Sequence, residues 1–159
     1  MTKRNNFGIV PYGFFSKGDP GGNRQIGNFW YRYFMKPVDG WWVGINANLA
    51  SAGVGLVKSA KILQDSNLLS TAQRQLDWIL GFNPHGASTM EGVGYNHPKQ
   101  FVNGSEFCPA TPRIPGAVMN GIGGTVEDQP ALYDGSYNTA EYWTPMVAYT
   151  MWLMAKLSI

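Results

Sequence analysis

Apolar residues recur every three or four positions in two neighbouring stretches of the chain. The first stretch covers residues 46–64 and the second covers residues 68–80, and each pattern predicts an amphipathic helix. Between them lies a short polar break in which Ser66 or Asn67 is suited to cap the second helix. Because helices joined by so short a link pack antiparallel, residues 46–80 are predicted to form a helical hairpin.

Glycines mark special points on both predicted helices. Gly53 and Gly55 lower the helix propensity of the first helix, so we expect a neighbouring helix to pack closely against them. Gly81 follows the last apolar residue of the second helix and suits a left-handed C-terminal cap. Pro84 then prevents the helix from resuming.

A third helix is predicted at the C-terminal end, within residues 143–159. Thr144 is placed to be its N-cap, and Pro145 occupies the first helical position, where its missing N–H costs nothing. Apolar side chains surround this helix on nearly all sides. Such a helix belongs in the inner ring of a barrel or against a partner subunit.

The rest of the chain has no helical period. Residues 81–142 are rich in glycine and proline, and so long a loop in a compact domain usually indicates function or disorder. Ile114, Val118 and Met119 lie within it and favour packed turns and short strands over disorder. Residues 1–45 are also loop-rich, and their many aromatic side chains suggest the wall of a cleft. The segment NFWYRYF within them fits a short strand or a helical turn equally well.

Composition narrows the possible partners. The 159 residues are 44% hydrophobic, enough for one domain with a core, and the net charge of +2 argues against nucleic acid as a partner. No apolar run is long enough for a membrane span or an export signal. Cys108 is the single cysteine, so no intramolecular disulfide is possible. The sequence also shows no zinc ligand set, and we expect neither a metal nor a cofactor. Aromatic residues, at 14%, fill a core or form a stacking surface.

Residues 76–94, LDWILGFNPHGASTMEGVG, resemble the segment LDYILGRNPxGxSYVTGFG of the family 9 glycoside hydrolases. Two later segments extend the resemblance: IPGAVMNG is similar to the family's GALVGG, and YNTAEYWTPMVAYTMWLMAKL to its last helix. These enzymes are inverting endoglucanases and exoglucanases built on an (α/α)6 barrel. The resemblance therefore implies an all-α fold in which residues 1–159 form a single domain, the C-terminal part of a six-hairpin barrel with long rim loops at 81–142.

The resemblance also implies a function and a location. The substrate would be a β-linked polysaccharide or oligosaccharide, and the protein would be secreted or periplasmic. Glu141 aligns with the family's general acid, because AEYWTPMVAY matches NEVAxxxNAA. Tyr142 and Trp143 would supply the apolar surroundings that keep a carboxyl group protonated. A different interpretation of the same residue is a capping box, since Asn138 and Glu141 have the required spacing.

The substrate-binding residues implied by the resemblance are His97, Trp41, Trp42, Tyr137 and Trp143. His97 and Pro98 match the start of the family's HPHHR motif. Lys99, Gln100 and Phe101 follow instead of the remaining residues, so the sugar-contacting His-Arg pair of that motif is absent. The aromatic residues are expected to stack on sugar rings. His85, within NPHG, is expected to hold the turn that follows the second helix.

No second catalytic carboxylate is identified. An inverting glycosidase needs a general base, which the family takes from a DAGD-like motif absent from this chain. Asp19, Asp39, Asp128 and Asp134 have no spacing that nominates one of them. The isolated chain is therefore predicted to be weak or inactive without the N-terminal half of a barrel or a homodimer partner. The alternative is a non-catalytic glycan-binding or structural module, which the replacement of the family's asparagine by Ala140 would favour.

Overall fold

The computed structural model describes residues 5–19, 21–37, 42–101 and 112–158. Within these ranges the chain forms four helices and five short strands. In order they are β1 (Gly13–Phe15), β2 (Arg24–Ile26), β3 (Phe29–Arg32), α1 (Asn46–Leu63), α2 (Asn67–Ile79), β4 (Gly123–Gly124), β5 (Pro130–Ala131), α3 (Tyr137–Ala140) and α4 (Thr144–Leu157). None of the helices in the described ranges is long and apolar enough to cross a membrane.

Helices α1 and α2 form the predicted hairpin. Gln64 is the C-cap of α1 and takes a left-handed conformation with φ of 53°. Asp65 then accepts a hydrogen bond at Oδ1 from the backbone N–H of Asn67 at 2.9 Å. Ser66 occupies the N-cap position of α2, but its side chain makes no capping hydrogen bond. Ser66 therefore holds the predicted N-cap position, but its predicted capping role is wrong, because the side chain of Asp65 fixes the turn.

The end of α2 is a Schellman motif. Gly81 has φ of 116°, and its N–H donates to the carbonyl of Trp78 at 3.3 Å. The N–H of Phe82 donates to the carbonyl of Asp77 at 2.8 Å. These two bonds satisfy carbonyls that the helix leaves without partners. The predicted glycine cap is confirmed.

Helix α4 packs across α1, and their apolar faces form the larger core. Its buried members come from α1, α2, α4 and the loops: Ala50, Val54, Val57, Ala72, Leu76, Ile79, Met90, Val118, Met146 and Leu153. The closest approach is at Gly53, where an added Cβ would lie 2.8 Å from Cδ2 of Leu153. An added Cβ at Gly55 would meet nothing within 4 Å. The expected close contact is confirmed at Gly53 and is wrong at Gly55.

The start of α4 lies one residue from its predicted place. The helix already includes Thr144, so Trp143 holds the N-cap position, and Pro145 lies in the first turn. The prediction of Thr144 as N-cap is therefore wrong by one residue. The cause is the extended backbone of Trp143, whose carbonyl accepts from Met146 and opens the helix one residue early.

The predicted all-α fold is wrong. Three antiparallel strands form a sheet in the order β1-β3-β2, and β4 pairs with β5 in a second small sheet. β2 and β3 are joined by only Gly27 and Asn28, and Gly27 has the positive φ that such two-residue hairpins require. The segment NFWYRYF thus provides a strand, because aromatic residues suit a half-buried sheet and a local turn returns it to β2. The apolar residues that pack on this sheet form a second core: Ile9, Tyr31, Tyr33, Phe34, Ile45, Leu49, Trp78 and Ile122.

Candidate functional site

Three loop segments meet just before α4 and hold the residue predicted to be catalytic. The N–H of Asn120 donates to the carbonyl of Glu141 at 2.9 Å. The N–H of Gly44 donates to the carbonyl of Asn138 at 2.7 Å. Residues 42–44, 118–121 and 137–142 are therefore fixed to one another by main-chain hydrogen bonds. Glu141 lies at their junction.

Glu141 presents a half-buried carboxylate at the end of α3. Oε2 accepts a hydrogen bond from Nε1 of Trp143. Among the described residues, Oε1 has no hydrogen-bond partner. One oxygen is thus held in place by Trp143, while the other has no protein partner in the part of the chain that the structure describes.

The capping-box interpretation of Glu141 is wrong. The N-cap of α3 is Ser136, whose hydroxyl accepts from the N–H of Asn138 at 3.4 Å. Glu141 lies at the other end of this one-turn helix, with an extended backbone. Its side chain contacts Trp143 and does not close a helix start.

Three of the predicted aromatic residues lie within α3 or next to it. Trp42 is half-buried, its carbonyl accepts from Nδ2 of Asn138 at 2.7 Å, and its ring meets Tyr133 edge-on at 6.1 Å. Tyr137 is half-buried within α3, and Trp143 is 40% exposed beside Glu141. Trp41 lies outside the described residues. The structure therefore places Trp42, Tyr137 and Trp143 on the same convergent segments as Glu141.

His97 lies in a separate pocket on the loop that follows α2. Its Nδ1 is 3.1 Å from the carbonyl oxygen of Ser88. The cavity has a volume of about 460 Å³ and is lined by Glu91, Gly92, His97, Arg113 and Pro115. A groove of about 610 Å³ between the ends of α1, α2 and α4 contains none of the predicted site residues.

A buried ion pair, missed from the sequence, joins this pocket to the Glu141 segment. Glu91 is 2% exposed and accepts from Nη1 of Arg113 at 2.8 and 3.0 Å. The hydroxyl of Tyr142, the residue after Glu141, also donates to Glu91 at 3.2 Å. Burial, together with the negative charge of Glu91, raises the pKa of Tyr142 to about 12. Tyr142 is therefore neutral and able to donate at ordinary pH.

One signal for this ion pair was present in the sequence. In the segment TMEGVG, Glu91 stands where the related YVTGFG has threonine. A charged residue inside a glycine-rich loop between apolar neighbours requires a partner when it is buried. Arg113 lies 22 residues further on, a separation that no local pattern connects.

The aspartates considered as general bases are engaged elsewhere. Asp128 is 1% exposed, accepts from the N–H groups of Tyr33 and Phe34, and pairs with Arg24 at 2.7 Å and Arg32 at 3.8 Å. It is a structural carboxylate that fastens the loop before β5 to the end of β3. Its φ of 63° is a left-handed conformation that these contacts stabilise.

The other two described aspartates are bound near the surface. Asp134 accepts from the backbone N–H of Lys99, and its Oδ2 is 3.5 Å from Nζ of the same residue. Asp19 is exposed and accepts from the N–H of Gly21. Asp39 lies outside the described residues. In the part of the chain that the structure describes, no group of three potential metal ligands occurs.

The turn after α2 is held by Asn83 and not by the side chain of His85. Nδ2 of Asn83 donates to the carbonyls of Trp78 and Ala87, at 2.9 and 2.8 Å. Its Oδ1 accepts from the backbone N–H of His85 at 3.1 Å. An amide side chain has both donors and an acceptor, so Asn83 can bond to backbone N–H and carbonyl groups on both sides of the turn. The imidazole Nε2 of His85 is buried without a partner among the described residues.

The chain is similar to known proteins in both sequence and structure. The chain is similar to Endoglucanase 14 and Endoglucanase 13 of Arabidopsis thaliana, each 55% identical over 38 residues, or 24% of this chain and 8% of the relative. It is also similar to the crystal structure of the cellulase Cel9M of C. cellulolyticum in complex with cellobiose. That match is 26% identical with a TM-score of 0.58 and covers 72% of this chain and 28% of the cellulase.

The chain thus spans less than a third of the solved cellulase and a smaller share of the plant relatives. The family model described as glycosyl hydrolase family 9 matches residues 25–154, which is most of the chain. The matched range includes both helices of the hairpin, the His97 pocket and the Glu141 segment. The chain belongs to glycosyl hydrolase family 9.

Proposed function

We propose that this chain supplies the general-acid half of an inverting glycoside hydrolase that acts on a β-linked glucan related to cellulose. Family membership supports hydrolysis of a glycosidic bond. The similar cellulase Cel9M was solved with cellobiose, which supports an oligosaccharide ligand. The observation that carries the proposal is Glu141, whose carboxylate has one oxygen held by Trp143 and stands where three loop segments converge.

In this proposal Glu141 is protonated and donates to the glycosidic oxygen as the bond from that oxygen to the anomeric carbon breaks. A water molecule attacks the anomeric carbon from the opposite face and gives its proton to a general base. The anomeric configuration inverts, and the two carboxyl groups lie about 6.5–9.5 Å apart to admit the water. The products are two shorter sugars, and the acid and base recover their starting protonation through solvent.

The sugar rings would stack on Trp41, Trp42, Tyr137 and Trp143, since the apolar faces of pyranoses pack on aromatic rings. Trp143 is the most directly placed, because its indole also holds Glu141. His97 would contact a sugar hydroxyl in its own pocket. The hydrogen bond between Tyr142 and Glu91 connects this pocket to the Glu141 segment.

The general base is proposed to come from outside these 159 residues, since Asp128 and Asp134 are already paired. The source would be the N-terminal half of the barrel or a second copy of the chain. Either would also cover the outer face of α4, where Met151 is 63% and Trp152 is 42% exposed. An apolar face of this kind promotes association when left in water. The isolated chain is accordingly expected to be weak or inactive.

The test is Glu141→Gln in the full-length enzyme. Loss of a general acid lowers kcat about 10²–10⁴-fold while leaving the dissociation constant for cello-oligosaccharides within about twofold. The matched control is Glu127→Gln, which alters an exposed glutamate on the loop before Asp128 and is expected to leave kcat unchanged. A normal turnover rate in Glu141→Gln would overturn the assignment.

A second candidate is a non-catalytic module that binds glycans or serves as a structural surface. It is favoured by the engagement of Asp128 and Asp134, two of the candidate bases, in ion pairs with arginine and lysine side chains. Titration of the full-length protein with cellotetraose, followed by tryptophan fluorescence and by product analysis, separates the candidates. Binding with no product supports a glycan-binding module, and neither binding nor product supports a structural one.

A further inference from the structure

The pocket beside His97 contains an arginine that is held rigidly and yet remains accessible. Nη1 of Arg113 contacts both carboxylate oxygens of Glu91, and Nη2 donates to the carbonyl of Pro98 at 3.3 Å. The side chain of Arg113 is nevertheless 45% exposed, whereas that of Glu91 is 3% exposed. Among the described residues, Nε of Arg113 has no partner. The buried carboxylate thus orients the guanidinium of a residue that lines the cavity.

His97 is fixed in a complementary way. Its Nδ1 lies 3.1 Å from the carbonyl oxygen of Ser88, and a carbonyl can only accept. Nδ1 therefore carries a proton, and in this tautomer Nε2 is the acceptor nitrogen. In the described part of the chain, Nε2 has no hydrogen-bond partner. The pocket accordingly presents a positioned donor and a positioned acceptor.

The charge of the pocket is balanced. Glu91 and Arg113 cancel each other, and the described residues that line the cavity include no other Asp, Glu, Lys or Arg. A carboxylate or phosphate ligand would have to compete with Glu91 for Arg113. A neutral hydroxyl can instead use the free N–H without separating the pair.

We propose that Arg113 and His97 form a sugar-binding subsite that recognises neighbouring hydroxyls of an uncharged pyranose, with Glu91 as the residue that positions and neutralises Arg113. The inference rests on the proposed function and names the chemistry of one part of its cleft. Arg113 donates to one hydroxyl oxygen, and His97 accepts from the adjacent hydroxyl. Tyr142 joins this subsite to the Glu141 segment through its hydrogen bond to Glu91.

The first test measures binding of cellotriose to the full-length protein in a Glu141→Gln background, so that the ligand is not consumed. Arg113→Lys retains a charge for Glu91 but cannot reproduce the arginine donor geometry, and it is expected to weaken binding roughly tenfold or more. The double variant Glu91→Leu with Arg113→Met removes both charges without leaving one buried alone, so its fold should persist and its affinity should fall similarly. Arg74→Ala, at an exposed arginine of α2 outside the pocket, is the control.

The second test exploits the charge balance. In Glu91→Gln, Arg113 is left without its counter-charge while the shape of the pocket is kept. Affinity for cellotriose oxidised to a terminal uronate should then rise roughly two- to fivefold relative to neutral cellotriose. If the ion pair had a purely structural role, Glu91→Gln would change the affinity for both sugars equally. The control Glu127→Gln should leave the ratio of the two affinities unchanged.

The outcomes distinguish failure of the proposed function from failure of the subsite alone. If the parent protein does not bind cellotriose, the proposed function fails and this subsite fails with it. If the parent binds but Arg113→Lys and the double variant bind equally well, only the subsite is overturned. Weaker binding in both variants, with a changed uronate preference in Glu91→Gln, supports it.

Discussion

Tyr142 joins the two halves of the candidate site at the level of a single residue. Its backbone pairs with Met119, and its hydroxyl donates to Glu91. Because Tyr142 directly follows Glu141, the position of the proposed acid depends on this contact. Burial and the neighbouring carboxylate disfavour the phenolate, which is why the pKa of Tyr142 rises to about 12.

The raised pKa predicts how stability depends on pH. An unfolded tyrosine ionises near pH 10, so the contribution of neutral Tyr142 is complete below about pH 10 and is lost progressively towards pH 12. After allowance for partial exposure, the loss should be about 1–2 kcal/mol of unfolding free energy. Tyr142→Phe has no group to ionise there. Its destabilisation relative to the unmodified protein, about 1 kcal/mol at neutral pH, should therefore shrink or reverse as the pH approaches 12.

Urea denaturation of both proteins from neutral pH to about pH 12 measures this difference directly. Other tyrosines and lysines titrate in the same range, but they are common to both proteins and cancel. A stability difference that stays constant across that range would contradict the raised pKa.

Residues that act locally were predictable, whereas residues that act through distant partners were not. Glu141 was identified because a stretch of adjacent letters resembles a known motif. Glu91 and Arg113 meet only because the chain folds back between Met90 and Val118, which form an isolated bridge. Asp128 was left among several candidate bases, although its contacts with Arg32 and the N–H of Tyr33 make it structural. Such roles depend on tertiary contacts that a single sequence does not display.

At the level of elements, the three long helices followed their pattern, whereas the one-turn helix α3 and the strands were not predicted. The helical period of residues 46–80 and the glycine cap at Gly81 are local, and both are found in the structure. The strands are only two to four residues long, too short for an alternating pattern to be recognised. Their pairing depends on tight turns and on aromatic packing against Trp78, and so the all-α prediction failed.

The two glycines of α1 provide a matched test of helix packing. Gly53→Ala would place a methyl group 2.8 Å from a methyl carbon of Leu153, which is fully buried and has little space to move. The overpacking should exceed the gain in helix propensity and destabilise the protein by about 1–2 kcal/mol. Gly55→Ala meets no neighbour within 4 Å and should stabilise it by about 0.5–1 kcal/mol.

Thermal or urea unfolding of the two single variants gives both values. Opposite signs are expected from substitutions only two positions apart on the same helix. Equal stabilisation by both would show that α1 and α4 do not approach as closely as their contact at Gly53 requires.

At the level of the whole molecule, the chain brings the residues of the proposed site onto one scaffold. The helical hairpin and α4 form the larger core, and the loops between them carry Glu141 and the His97 pocket. The three-stranded sheet packs with Trp78 in the second core. The match to the solved cellulase covers 28% of that enzyme. The family could be predicted from the sequence because its motifs are continuous, whereas the general base could not, since the chain lacks the DAGD-like motif that supplies it in the family.

The measurement that tests the central claim most directly compares two substrates in the full-length Glu141→Gln variant. Cellotetraose has a poor leaving group that requires a proton, whereas dinitrophenyl β-cellobioside has one that leaves without protonation. If Glu141 is the general acid, kcat should fall about 10²–10⁴-fold on cellotetraose and by less than about tenfold on the activated substrate. An equal loss on both substrates, or no loss on either, would contradict the assignment of Glu141 as the proton donor.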